Sequence, residues 1–269
     1  TGWNESGISF LWPFFCFYRI PKLILEEEVS MHIPDGYLSP QTAIPLIAVM
    51  VPVLGAAANK VKKDLKKKQI PVLAAGAAFS FVIMMFNLPV PGGSSAHAVG
   101  AVLLAILLGP WAACLGVSVA LIIQAIVFGD GGILAVGANC FNIAFIMSFA
   151  GYYAYKLIKG RAEKLSARGM VAAFVGAYIG LNIAALTTAL MFGAQYHLFQ
   201  AVDGTPLYFM YPLKIAVAAM MSEHLVLAGP VEGLVTVLGL WFVGKNYPAL
   251  LPDIPSWKIS TDKGVESHV

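Results

Sequence analysis

Again and again this chain runs for about twenty residues with almost no charge, the length a helix needs to cross the hydrocarbon core of a bilayer. The first such run is "PQTAIPLIAVMVPVLGAAAN" (40–59), and "IPVLAAGAAFSFVIMMFNLPV" (70–90) is the second. "AVLLAILL" and "WAACLGVSVALIIQAIVF" then read as a hairpin turning at Gly109-Pro110, because proline cannot sit in a helix interior without breaking it. "ILAVGANCFNIAFIMSFAGYYAYKLI" and "MVAAFVGAYIGLNIAALTTALMF" follow. The last apolar block, 212–244, is too long for a single crossing at 1.5 Å per residue. A break at Gly229-Pro230 is expected there, with the stretch before Pro230 short or only partly inserted. The fold class is therefore all-α, a polytopic membrane helical bundle of about seven transmembrane helices.

Charge placement orients the bundle. The chain is 59% hydrophobic and 12% charged, where a soluble domain carries about 25% charged residues. Its net charge of +3 does not point to nucleic acid, because the positive residues cluster. Lys60 to Lys68 holds six, Lys156 to Arg168 holds five, and Lys245, Lys258 and Lys263 lie near the C-terminus. The positive-inside rule makes all three segments cytoplasmic. With an outer N-terminus, the number of crossings is then odd. Cys16, Cys114 and Cys140 are odd in number and two lie in apolar runs, so they read as small buried hydrophobes.

Residues 1–30 differ from the rest. Their apolar run "ISFLWPFFCFY" is too short to span a membrane, and Arg19 and Lys22 follow it rather than precede it, unlike a signal peptide. Glu27-Glu28-Val29 can be encoded by a purine-rich stretch resembling a ribosome-binding site, immediately before Met31. Residues 1–30 are accordingly expected to be non-native leader, with a genuine extension or a processed leader as alternatives. Residues 31–250 form the membrane domain, and 251–269 a short cytoplasmic tail.

A free amine at Met31 would matter chemically. That amine, the backbone nitrogen of His32 and its Nδ1 can close two fused chelate rings on one ion. Binding through an amide nitrogen requires its deprotonation, which nickel and copper ions promote and zinc and magnesium do not. Three in-plane nitrogens favour a square-planar or tetragonal centre. Ile33-Pro34-Asp35-Gly36 reads as a tight turn that folds the terminus back into the bundle. A fourth ligand is expected from His97, in "PGGSSAHAVG" on the same outer side, where glycines allow close backbone approach. Asn139 and Asn142 either orient a ligand histidine or bond to neighbouring helices. Asp130 and Glu232 are candidates to cap helix starts, and His224 beside Glu223 reads as a structural ion pair.

Other chemistry finds little support. "GLWFVGKN" fits a phosphate-loop pattern but lacks the Ser or Thr that holds magnesium, and it ends a helix rather than following a strand. No nucleophile motif and no chain of acids across the bilayer is present, so the protein is not expected to be an enzyme.

The stretches "MHIPDGYLSP", "FNLPVPGGSSAHAVG", "LLGPWAA", "FGDGGILAVGANCFN" and "EHLVLAGPVEGL" resemble the CbiM/NikM family, the metal-binding substrate components of cobalt and nickel energy-coupling-factor transporters. The resemblance spans 31 to about 250. It implies that Co²⁺ or Ni²⁺ is bound at the outer face by Met31, His32 and His97; the residues themselves make Asn139, Asn142 and Asp35 candidates to support them. The resemblance also implies a prokaryotic cytoplasmic membrane and three kinds of partner: a transmembrane coupling subunit, two ATPase subunits and a small two-helix membrane subunit. The small subunit would be separate here, since the tail after Pro248 is short and polar. An Ala-x-x-x-Ala face at Ala74 and Ala78 would meet the coupling subunit. A self-sufficient secondary metal carrier is the main alternative, and it would be expected to show carboxylates along a path.

Overall fold

A computed structural model describes residues 29–30, 32–90 and 94–251. Met31, most of the expected leader, the glycines of the "PGG" stretch and the tail after Leu251 lie outside the described residues. The expectations that rest on the Met31 amine, on those glycines and on the leader and tail boundaries fall there.

Helices dominate, and their ends follow local chemistry. Ser39 caps α1 (Pro40–Asp64) by accepting from the Thr42 N–H at 3.3 Å, with Pro40 in the first turn. Next come α2 (Ile70–Met84), α3 (Ala101–Leu108) and α4 (Pro110–Ile123), the last continued by a π-helical turn at Gln124–Phe128. Gly109, at φ 94°, makes the expected reversal between α3 and α4. α5 (Val136–Asn139) leads through the π-helical stretch Cys140–Ile146 into α6 (Met147–Lys159). α7 (Ala167–Leu198) is capped by Ser166, which accepts from the Gly169 N–H at 3.1 Å. α8 (Leu213–Glu223), a π-helical turn at His224–Ala228 and α9 (Gly229–Asn246) complete the bundle.

Among the described residues these elements make seven helical rods, as expected. Five stretches are long and apolar enough to cross a membrane by length and composition: Pro40–Asp64, Lys67–Met84, Pro110–Phe128, Ala167–Leu198 and Leu213–Asn246. Large apolar side chains such as Leu157, Val226 and Ile126 face outward, while Gly, Ala and Ser fill the interior, the pattern of a bundle solvated by lipid. α3 is too short to cross alone, at eight residues. The irregular segment 97–100 that precedes it is itself buried, and Gly100 turns the chain into α3 at φ 73°.

Two expectations are corrected here. Gly229-Pro230 does not break the last block. Gly229 donates to the His224 carbonyl five residues back, and this wider turn makes room for the proline ring. The Leu225 carbonyl accepts instead from the Tyr178 hydroxyl at 3.1 Å, so the irregularity is satisfied by a neighbouring helix. The turn after His32 is also shifted by one residue. The Tyr37 N–H donates to Pro34 O at 3.5 Å, and Gly36 takes the third position at φ 94°, which a type II turn reserves for glycine.

A small sheet joins the parts that lead to the candidate site. Its order is β1 (Val29–Ser30), β3 (Ser94–Ala96), β2 (Leu88–Val90). β2 and β3 are antiparallel, while β1 runs parallel to β3 with Ser30 opposite Ser95.

Candidate metal centre

The parallel register Ser30–Ser95, carried two residues further, sets His32 level with His97. Their rings lie 4.6 Å apart between centroids, tilted by 57°. Both are inside the protein, His32 at 2% and His97 at 1% exposure. Two histidines separated by 65 positions thus meet in one buried spot. A histidine on a loop is ordinarily solvated, and these two are not.

The backbone around His32 is anchored at several points. The Ile33 N–H donates to Asn139 Oδ1 at 2.8 Å, and Asn139 Nδ2 donates to Ile33 O at 3.1 Å, a two-point amide pairing. Asp35 accepts from the N–H groups of Ile133, Leu134 and Ala135 at 2.9 to 3.3 Å, just where α5 begins. A carboxylate at a helix start is favoured both by the free N–H groups and by the dipole. Gly132 lies so close to Asp35 that an added Cβ would overlap the Asp35 carboxylate and backbone nitrogen. Further along, the Ser39 N–H donates to Gln195 Oε1 of α7 at 2.9 Å.

Asp130 does something other than cap a helix. Its Oδ1 stands 2.9 Å from His32 Nδ1. Burial works against its ionisation, but the hydrogen bond to His32 outweighs this and leaves the carboxyl below its ordinary range. Sequence reasoning assigned the helix start to Asp130, and the structure gives that task to Asp35. A loop "FGDGG" carries no signal that would tell the two apart.

His97 is fixed differently. Its Nδ1 lies 3.2 Å from the Ala98 carbonyl, which can only accept, so Nδ1 carries the proton and Nε2 holds the lone pair. That Nε2 is buried and has no hydrogen-bond partner among the described residues. Burial first, then the neighbouring His32, push the imidazole down to about 3, so it is neutral in ordinary conditions. A neutral ring with an exposed lone pair inside an apolar bundle is what a metal ligand requires.

Of the two asparagines, Asn139 reaches the segment that carries His32. Asn142 turns to α7 instead, accepting from the Thr187 hydroxyl at 2.8 Å and lying 3.4 Å from Met191 Sδ. Asn139 thus bonds the backbone next to His32, and Asn142 bonds a neighbouring helix. Glu232, on α9, caps the approach to α3 rather than its own helix. It accepts from the Val99 N–H at 2.7 Å and from the Gly100 N–H at 3.1 Å. Ala74 and Ala78 stay exposed on the outer face of α2.

Residues 32–250 match the CbiM family, described as the cobalt uptake substrate-specific transmembrane region. The chain belongs to the CbiM family. Within it, the fused nickel transport protein NikMN of Rhodobacter capsulatus is 49% identical over 223 residues, 82% of this chain and 64% of that protein. This chain thus spans somewhat under two thirds of that fused relative. The cobalt transport protein CbiM of Acetohalobium arabaticum is 33% identical, over 82% of this chain and 85% of its own length. A crystal structure of a truncated transition metal transporter superposes with a TM-score of 0.75 at 53% identity, covering 80% of this chain and 98% of that one. The relatives are transport proteins, not enzymes.

Proposed function

We propose that this chain captures Ni²⁺ or Co²⁺ at the outer membrane face as the substrate component of an energy-coupling-factor importer. The observation that carries the reading is the buried meeting of His32 and His97, with the Nε2 lone pair of His97 left open. The ion is cargo, held by four nitrogens: the Met31 amine, the His32 amide nitrogen, His32 Nδ1 and His97 Nε2. His32 Nδ1 is the nitrogen that now stands against Asp130, so binding exchanges that hydrogen bond for the ion. Asp130 then remains as a nearby negative charge. A start at Met31 would remove β1. The anchors at Ile33, Asp35 and Ser39 are independent of β1 and would still hold the terminus in place.

Energy comes from partners: two ATPase subunits acting through a transmembrane coupling subunit, with a small two-helix subunit alongside. The exposed Ala74 and Ala78 suit close approach of a partner helix. Beside them an apolar groove of about 1070 Å³ runs between α2 and α9, lined by Ala75, Phe79, Leu238 and Phe242 among others. Cobalt and nickel share these donors, so selection between them lies in coordination geometry and supply.

Native mass spectrometry of the protein expressed from its own gene, with its own upstream DNA, tests the chelate. A mass that begins at Met31 with one metal ion bound is expected. A mass that begins near Thr1 with metal still bound would remove the amine from the ligand set. Metal uptake that persists without any ATPase subunit would favour the self-sufficient carrier.

A further inference from the structure

We propose that Glu232 is a positioning residue for the ligand His97, acting through a single peptide plane. The inference rests on the ligand role given to His97 above. The peptide unit that joins Ala98 to Val99 is held at both ends. Its carbonyl, on Ala98, faces His97 Nδ1 at 3.2 Å, and its N–H, on Val99, donates to Glu232 Oε2 at 2.7 Å. The next N–H, of Gly100, also bonds the carboxylate. Glu232 is 0% exposed and comes from α9, more than 130 positions away in sequence.

This arrangement does two things at once. A carboxylate on the N–H side of a peptide draws electron density toward its oxygen and strengthens what that oxygen accepts. The Ala98 carbonyl therefore holds the Nδ1 proton of His97 more firmly, which fixes the tautomer and makes Nε2 a better donor to an ion. The second bond, to Gly100, stops the plane from rotating. Gly100 itself has φ 73° and no room for a Cβ, which would lie 2.8 Å from the Phe79 ring. A carboxylate buried among apolar helices is costly, and a plain helix cap for α3 needs only a Ser or Asp close in sequence. Reaching across from α9 makes sense if the orientation of the loop matters.

The test adds Ni²⁺ to the protein expressed from its own gene with its own upstream DNA and purified in detergent, and reads its affinity by chelator competition and its ligand field by the visible absorption band. Glu232→Ala is expected to weaken binding about 10- to 100-fold and to move the band toward that of His97→Ala. Glu232→Gln keeps one accepting oxygen for the Val99 N–H, so it should fall between wild type and Glu232→Ala on both readouts. Wild-type affinity and band in Glu232→Ala, with His97→Ala impaired, would overturn the proposal, whatever the melting temperature does. If Glu232→Ala does not fold, Glu232→Gln is judged by the same criterion. His97→Ala with unchanged affinity and band would remove His97 from the ligand set and take this inference with it. That failure is read from His97→Ala alone, so the two are distinguishable.

Discussion

A histidine ring ligates well only when its tautomer is set, its charge is suppressed and its lone pair points at nothing else. His97 meets each condition through a neighbour: the Ala98 carbonyl, the surrounding apolar bundle and the unclaimed Nε2. His32 depends on Asp130 in a different way, since the same nitrogen serves both the carboxylate and the proposed ion. Asp130→Asn removes the charge and keeps the shape. It should weaken Ni²⁺ binding roughly tenfold, as loss of an outer partner of a ligand does, while the melting temperature stays near wild type. Equal affinities for the two proteins in a chelator competition would show that Asp130 plays no part. Asn139 acts on backbone rather than on a ring. Asn139→Leu would leave the Ile33 N–H buried without its partner, at a cost of about 1–3 kcal/mol for such a group, while the Ile33 carbonyl keeps its bond from the Gly132 N–H at 2.9 Å. A thermal melt of the variant should show a clear drop, and an unchanged midpoint would mean that water replaces the amide.

Among the elements, α6 and α7 pack most extensively against each other, and glycine makes that possible. A Cβ at Gly180 would lie 2.8 Å from the Met147 carbonyl, and one at Gly176 2.9 Å from the Tyr155 side chain. Ala173 and Ala177, on the same helix, are fully buried. The small-residue repeats of α7 therefore serve internal packing, while those of α2 remain outside. Gly180→Val forces α6 and α7 apart and should destabilise by about 1–3 kcal/mol, the range for overpacked cores. Ala78→Val, on the exposed face, should leave the melting temperature alone. Similar melting curves for both variants would refute this division of labour.

For the whole molecule, the lysine-rich turns between α1 and α2 and between α6 and α7 define the expected inner side. On that proposed orientation, the loop between α7 and α8, which carries the exposed Val202, is expected outside. Once Cys16, Cys114 and Cys140 are replaced by alanine, single cysteines report this directly. Val202→Cys should react with a membrane-impermeant maleimide in intact cells, and Lys63→Cys only after permeabilisation. The reverse pattern would invert the bundle and put the proposed capture site on the inner face.

Apolar runs, lysine clusters and the "MHIPDG" and "SSAHAVG" stretches made the helical class, the rod count and the two histidines legible in the sequence, because each is a local property of composition or spacing. Three features were decided only by tertiary packing. The wide turn before Pro230 keeps the last rod continuous, since Tyr178 on another helix satisfies the freed carbonyl. Asp35 and Asp130 exchange roles relative to their sequence contexts, because only the fold says which N–H groups and which imidazole each carboxylate meets. Glu232 reaches the His97 loop from the far end of the chain. Hydrophobic periodicity reports where a chain buries itself, but a buried polar group is worth what its partner makes of it, and partners far apart in sequence are chosen by the fold.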